Sequence, residues 1–258
     1  MGYVPSRCIA GGGHEDAGPM KTQYLLATQP LPESLVFNAA LRGVMIDSLS
    51  FIATEPVKDD VLSDRIAELK RRYIAAVFTS VNAVEAVCAL GKGGEDWTIY
   101  CTGGATRGAV AKCFGEETIA GVADTAKGLA EELIRSGGGR EVYFFCGDQR
   151  RDELPFILRQ SGRTLNELVV YRTIWTPHKV NREYSGIVFF SPSAVESFFS
   201  VNKVSPEARL YAIGPTTAAA IRECVDNPIE TVDRPDKKAL VQKMIEQFQH
   251  RATRGGEK

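Results

Sequence analysis

The sequence predicts an α/β fold of two similar lobes, each built on a parallel five-stranded sheet flanked by helices. Two observations carry this. Short β-rich runs alternate with helical patterns along the chain, which is the mark of βαβ units and parallel sheet. The chain also repeats itself: Val77-Phe78-Thr79-Ser80-Val81-Asn82-Ala83-Val84-Glu85 matches Val188-Phe189-Phe190-Ser191-Pro192-Ser193-Ala194-Val195-Glu196, offset by 111 residues. A period this long marks a duplicated domain and not a solenoid.

The elements follow in order. Tyr24–Thr28 is a strand, and Glu33–Arg42 a helix after a Pro-rich turn and before Gly43. Val44–Phe51 reads as one strand and Asp60–Arg72 as a helix. Strand Ala75–Thr79 leads through Ser80 into helix Ala83–Leu90, and strand Thr98–Cys101 leads through Gly103-Gly104 into helix Thr106–Phe114. Glu117–Ile119 is a short strand before helix Thr125–Ser136, and Val142–Cys146 a strand before helix Asp152–Ser161. Leu168–Trp175 is an extended run rich in β-branched and aromatic residues. The second copy then runs strand Gly186–Phe190, helix Ala194–Asn202, strand Arg209–Ile213, helix Thr216–Val225, strand Ile229–Thr231 and helix Lys237–Gln249. Ser, Thr, Asp, Gly and Pro at the joints are the residues that start helices and make turns.

The 111-residue offset also pairs Tyr100, Gly103 and Thr106 with Tyr211, Gly214 and Thr217, then Lys127, Leu129 and Ile134 with Lys238, Leu240 and Ile245. Earlier parts align at an offset near 120, where Thr28-Gln29-Pro30 faces Gly147-Asp148-Gln149, Gly43 faces Gly162 and Pro56 faces Pro177. The helix Asp60–Arg72 accounts for the change of offset. Two arrangements satisfy the repeat: contiguous lobes, or a chain that crosses between lobes twice.

Composition narrows the function classes. Of 258 residues, 44% are hydrophobic and 24% charged, enough apolar side chain to offset the ordering entropy. With 31 basic and 32 acidic residues, the net charge of -1 offers no general field for nucleic acid or acidic membrane. Apolar runs such as Ile187–Phe190 fall far short of the ~20 residues of a membrane span. Cys8, Cys88, Cys101, Cys113, Cys146 and Cys224 show no C-x-x-C spacing, so they read as free thiols in a reducing, cytoplasmic compartment. Residues 1–19 read as a leader or tag, with Met20 as the natural start, and residues 251–258 as a polar tail.

In parallel α/β sheets, ligands bind outside the carboxyl ends of the strands. Here six such ends can be read: Ala27-Thr28-Gln29, Thr79-Ser80-Val81-Asn82, Cys101-Thr102-Gly103-Gly104, Cys146-Gly147-Asp148-Gln149, Phe190-Ser191-Pro192-Ser193 and Ile213-Gly214-Pro215-Thr216-Thr217. Hydroxyls, glycine backbone and helix N-termini are neutral donors suited to carboxylates or phosphates, though each Ser or Thr alone is equally a plain helix cap. The candidate binding residues are Thr28, Ser80, Asn82, Thr102, Gly103, Thr106, Gly147, Gln149, Arg150, Ser191, Ser193, Gly214, Thr216 and Thr217. Arg150 adds a guanidinium suited to a carboxylate. No P-loop, no G-x-G-x-x-G after a strand and no G-x-S-x-G elbow occur. With only His14, His178 and His250, a Ser-His-Asp triad and a histidine metal site are both disfavoured. An enzyme so equipped works by positioning and hydrogen bonding. The alternatives are a non-catalytic two-lobed sensor for a small polyanion, and an enzyme on a phosphorylated sugar or nucleotide.

The paired Phe78-Thr79-Ser80 and Phe189-Phe190-Ser191-Pro192-Ser193-Ala194-Val195, with Gly147-Asp148-Gln149-Arg150-Arg151-Asp152-Glu153-Leu154, Val170-Tyr171-Arg172-Thr173 and Tyr211-Ala212-Ile213-Gly214-Pro215-Thr216-Thr217, resemble the uroporphyrinogen-III synthase family over about residues 22–248. Gly104 opposite Pro215 and Val81 opposite Pro192 depart from the pattern. The resemblance implies a discontinuous lobe of residues 20–51 and 178–250, a second lobe of 57–167, and a two-stranded β-ladder linker of 52–56 with 168–177. It implies a cofactor-independent, cyclising lyase, a cytoplasmic monomer with no metal. The reaction would close the linear tetrapyrrole hydroxymethylbilane to uroporphyrinogen III, with loss of water and inversion of the last ring. It implies that Tyr171 is the catalytic residue, its phenol assisting departure of the hydroxyl.

Overall fold

A computed structural model describes residues 22–137, 139, 141–233 and 236–254. Cys8, His14, Met20 and the remainder of the leader lie outside the described residues, as does the end of the tail. Contacts divide the chain into two units. Unit 1 holds the residues up to Phe51 and from Pro177 onward, and unit 2 is Ile52–Thr176. The chain therefore passes between units twice, which closes the question left open by the repeat.

Unit 1 begins with β1 (Gln23–Ala27), α1 (Glu33–Ala40) and β2 (Val44–Ser48). It resumes with β9 (Gly186–Phe189), α7 (Pro192–Phe199), β10 (Arg209–Ala212), α8 (Pro215–Cys224), β11 (Ile229–Thr231) and α9 (Lys237–Arg254). Its sheet is all parallel, in the order β11-β10-β9-β1-β2. One face of the sheet packs Leu25, Ala27, Val188 and Tyr211 against Leu240, Val241, Met244 and Phe248 of α9. Phe51, Phe189, Phe198 and Phe199 meet edge-on or stacked at 5.1–5.9 Å. Phe51, Phe189 and Phe198 are fully buried, and each contributes about 1.5–3 kcal/mol by leaving water.

Unit 2 runs β3 (Ile52–Pro56), α2 (Asp60–Leu69), β4 (Ala75–Phe78), α3 (Val81–Cys88), β5 (Thr98–Thr102), α4 (Ala105–Phe114), β6 (Ile119–Ala123), α5 (Ala126–Arg135), β7 (Glu141–Gly147), α6 (Glu153–Gln160) and β8 (Thr164–Trp175). Its sheet order is β3-β8-β7-β4-β5-β6. Phe78, Phe114, Phe145 and Trp97 form a stacked cluster with centroids 5.0–5.8 Å apart. The Asp59 carboxylate caps α2 by accepting from Val61 and Leu62 N–H at 2.8 and 3.1 Å. Lys70 closes the far end of α3, its buried ammonium donating to the carbonyls of Val87 and Gly91.

The repeat maps strand onto strand. Reading β2-β1-β9-β10-β11 against β8-β7-β4-β5-β6 gives the same order in both sheets. The 111-residue offset covers β4/β9, β5/β10 and β6/β11, and the offset near 120 covers β1/β7 and β2/β8.

Four expectations need correction. The second sheet has six strands, because β8 continues past its parallel partner β7 and takes β3 antiparallel, from Ile52↔Trp175 to Pro56↔Tyr171. Val44–Phe51 is not one strand: β2 stops at Ser48, and Phe51 turns inward to pack on Phe198 and His178 at 5.2 and 5.7 Å. Glu117–Ile119 is not a strand either. Glu116–Thr118 is a 3-10 turn after Gly115 (φ 99°), with Thr118 Oγ1 donating to Gly115 O at 2.8 Å, and β6 begins at Ile119. Finally, Cys88 and Cys113 form a disulfide between α3 and α4. Helix packing unites residues 25 apart in sequence, which spacing alone does not announce. Cys101 and Cys146 are buried free thiols and Cys224 is an exposed one. The expectation of a reducing compartment rested on free thiols and loses that support.

A bridge closing a loop of this length restricts the unfolded chain by roughly 3 kcal/mol. Reductant should therefore lower the melting temperature of the wild-type protein and leave that of Cys88→Ser unchanged. Identical melting of the wild type with and without reductant would show that the bond contributes nothing.

Candidate functional site

In both sheets the strand order reverses at one place, where neighbouring strands send their chains to opposite sides. This switch point is β7/β4 in unit 2 and β1/β9 in unit 1. Crevices at the carboxyl edge of such points are where open α/β sheets take ligands.

At the unit 2 switch point, β7 ends in Gly147 and β4 runs into Ser80. Ser80 is the N-cap of α3, its Oγ accepting from Asn82 N–H at 3.2 Å. Tyr171 donates its phenol O–H to the same Oγ at 3.3 Å. A hydroxyl oxygen accepts two hydrogen bonds and donates one. With both acceptances filled, the Ser80 proton is directed elsewhere, and it has no acceptor among the described residues. Tyr171 and Ser80 thus form a short donor chain with an open end.

Tyr171 owes its place to two local features. Opposite the end of β7 the β8 register slips, pairing Cys146 with Val169 but Gly147 with Tyr171. Val170 is the extra residue of a β-bulge. Strict alternation expects Tyr171 on the side opposite Val170, but the bulge turns both toward one core, where Val170 is buried and Tyr171 is half-buried. The second feature is Gly147. A Cβ there would lie 2.5 Å from Tyr171 Cζ and 2.8 Å from its hydroxyl oxygen. The ring rests directly on the Gly147 backbone. Asp148 secures the same turn: its N–H donates to Tyr171 O at 3.2 Å and its Oδ1 accepts from Thr173 N–H at 2.9 Å. Sequence reading missed this role of Asp148, although a Gly-Asp pair after a strand is a turn signal.

Thr102 ends the next strand, β5, and is half-buried; Gly103 follows in the turn and is a correction, because its N–H donates to Ala123 O at 3.0 Å and leaves no backbone donor for a ligand. Gly104 takes φ 64°, so this turn needs glycine, whereas Pro215 fills the matching place in unit 1 after an extended Gly214. Thr106 is buried in α4, and Asn82 is half-buried in the first turn of α3. Gln149 is exposed in the turn that follows Gly147. Arg150 pairs with Asp152 and Glu167, so the chain's own carboxylates already hold the guanidinium that the sequence offered to a substrate. Burial pushes the neighbouring thiols Cys146 and Cys101 up to about 11, which keeps both protonated and poorly nucleophilic at neutral pH.

In unit 1, Ser191 is the N-cap of α7 and accepts from Ala194 N–H at 3.2 Å. Ser193 and Thr217 are buried, Gly214 is the buried N-cap position of α8, and Thr216 is exposed beside it. Thr28 is a correction. It is 1% exposed and its Oγ1 donates to Val188 O at 2.9 Å, tying β1 to β9 and leaving no free proton for a ligand. Among the described residues no cluster of His, Cys, Asp and Glu could hold a metal ion, and no helix is long and apolar enough to cross a membrane.

The contact between Gly147 and Tyr171 makes a stability prediction. Gly147→Ala should destabilise the protein by about 1–3 kcal/mol through overpacking. In a Tyr171→Ala background the same change should cost little, because its obstacle is gone. Equal costs in both backgrounds, measured by denaturant unfolding, would contradict the close approach.

Comparison with known proteins agrees with the fold. A crystal structure of a mutant uroporphyrinogen III synthase from the extremely thermophilic bacterium Thermus thermophilus superposes with a TM-score of 0.55 at 17% identity, covering 88% of this chain and 99% of that one. The uroporphyrinogen-III synthetase structure from Helicobacter pylori 26695 gives 0.61 at 16% identity, covering 87% and 99%. At such identities the likeness is one of fold. No curated protein sequence matches significantly. The family model for uroporphyrinogen-III synthase HemD matches residues 36–242, and the chain therefore belongs to the uroporphyrinogen-III synthase family.

Proposed function

We propose that this chain carries out its family's cyclisation with Tyr171 and Ser80 as the proton-donating pair. The substrate in this reading is hydroxymethylbilane, which bears an acetate and a propionate on each pyrrole. Its terminal hydroxyl is a poor leaving group until it receives a hydrogen bond or a proton. The open O–H of Ser80, polarised by the phenol donating into its oxygen, meets that need. The hydroxyl takes the donated proton and departs as water while the pyrrole nitrogen pushes its electron pair into the ring; the N–H proton then returns to the donor pair, leaving a neutral azafulvene. The substituted carbon of the last ring attacks to give a spiro intermediate, which fragments and recloses with that ring inverted. The pyrroles supply the electron push, so no strong base, metal or organic cofactor is needed from the protein.

The observation that supports this reading most is the Tyr171–Ser80 hydrogen bond at the switch point of the unit 2 sheet. Around it, the Asn82 side-chain amide and the Thr102 hydroxyl are neutral donors for the substrate carboxylates. Distributed neutral donors suit an acidic substrate on a protein whose net charge is -1. In the same reading the enzyme is a cytoplasmic monomer.

Tyr171→Phe keeps the ring on Gly147 and removes the O–H. It should lower turnover of hydroxymethylbilane about ten- to a thousand-fold, with little change in melting temperature and with residual product still mostly the type III isomer. Wild-type turnover by the folded variant would refute the donor role. Ser80→Ala and Ser191→Ala each remove a helix cap costing about 1 kcal/mol. Stability should therefore fall alike in both, and turnover further in Ser80→Ala. Equal turnover in the two variants would return Ser80 to a capping role alone.

A further inference from the structure

The Cys88–Cys113 bond ties the far ends of α3 and α4 in unit 2. Cys88 is the last residue of α3 and is exposed. Cys113 is the next-to-last residue of α4 and lies half-buried against the unit 2 core. The chain between them holds β5 and the residues Gly91, Gly93 and Gly94, at φ 97°, 114° and 93°. Such glycines have no side chain to pin the segment, so the bond is a main restraint on it.

The duplicated unit carries the same helix pair without the bond. Phe199 stands 111 residues after Cys88, at the end of α7, and Cys224 stands 111 residues after Cys113, at the end of α8. There α7 and α8 pack together as α3 and α4 do, with Phe199 against Phe189 and Phe198 at 5.9 and 5.1 Å, and Cys224 carries no disulfide. The fold thus builds this helix pair without a covalent tie. In unit 2, noncovalent anchors also stand at both bridged ends. Lys70 Nζ donates to Val87 O at 3.0 Å and to Gly91 O, and Phe114 stacks on Phe78 and Trp97 at 5.8 and 5.3 Å.

We propose that Cys88–Cys113 is a reversible thiol–disulfide exchange site, opened in the folded protein by a dithiol attacking at the exposed Cys88, and that its state sets how firmly the ends of α3 and α4 are held. A thiolate of the dithiol bonds to Cys88 Sγ, the Cys88–Cys113 bond breaks, and Cys113 leaves with the electron pair and takes up a proton. The second thiolate then attacks the dithiol's own sulfur in the mixed disulfide, and Cys88 leaves in the same way. Two electrons and two protons pass to the protein, and the dithiol becomes a disulfide. Exchange with a disulfide in the reverse sense restores the bond. Cys101 and Cys146, the other cysteines of unit 2, are buried, so neither intercepts the mixed disulfide. The exchange is independent of the cyclisation reading and is read without substrate.

The test uses the full chain, with Cys224→Ser as a second protein that lacks the exposed thiol of unit 1. Each is reduced with dithiothreitol in the absence of denaturant, then returned to oxidised glutathione. Samples from both steps are alkylated and mapped by peptide mass spectrometry. In both proteins Cys88 and Cys113 should become alkylated together after reduction and be protected again after oxidation, with far-UV circular dichroism unchanged. On reduction, amide hydrogen exchange should quicken about ten- to a hundred-fold in the last turns of α3 and α4 and in residues 91–94, while α7 and α8 keep their rates. Cys88→Ser should show the fast rates in either buffer. Alkylation of the pair only in denaturant, or only with loss of the dichroism, would overturn the exchange site. Opening of the bond without faster exchange, or with equal quickening in α7 and α8, would overturn its hold on the helix ends.

Discussion

Unit 2 is organised around the double duty of β8. The strand hydrogen-bonds in parallel to β7 along its first part and antiparallel to β3 along its last. The two partners overlap at Tyr171, which pairs with Gly147 on one side and Pro56 on the other. At this level the bulge at Val170 adjusts the register, and the ring settles on a backbone that has no Cβ to obstruct it. Were β8 to follow simple alternation, the phenol would leave the core side and could not reach Ser80. A sheet-level demand, one strand serving two neighbours, thus fixes a functional group to within hydrogen-bond distance of a helix cap.

Duplication has preserved the sheet and let its edge diverge. Both units keep the same strand order and a serine cap after the central strand, Ser80 and Ser191. At the neighbouring strand the copies part. Unit 2 has Gly147, which admits an aromatic ring, whereas unit 1 has Thr28, whose hydroxyl is spent tying two strands together. The Gly104 turn and the Gly214-Pro215 turn differ similarly, one needing positive φ and the other a proline-started helix. The shared strand geometry thus ends in a hydrogen-bonded Tyr171–Ser80 pair in unit 2 and in a capping Ser191 and a strand-tying Thr28 in unit 1.

Much of the fold was legible because its signals are local or periodic. Ser, Thr, Gly and Pro at the strand-to-helix joints marked the edge, and the two offsets paired the strands correctly. The failures were of another kind. Nothing in the composition of Leu168 to Trp175 separates a body strand from a linker strand, since the run is uniformly β-forming. The bulge at Val170 depends on the partner strand. The Cys88–Cys113 bond depends on the packing of two helices, and the commitment of Arg150 to Glu167 on a contact between a turn and β8. Among the candidate residues, small hydroxyls were found by type, but whether each is free, capping or buried is decided by neighbours distant in sequence.

The most direct test of the account is the isomer composition of the product that the wild-type chain forms from freshly generated hydroxymethylbilane, separated from the spontaneous product. A positioned donor at the sheet edge that directs closure through the spiro path predicts the type III isomer as the main product. A type I to type III ratio equal to that of the protein-free reaction would contradict it.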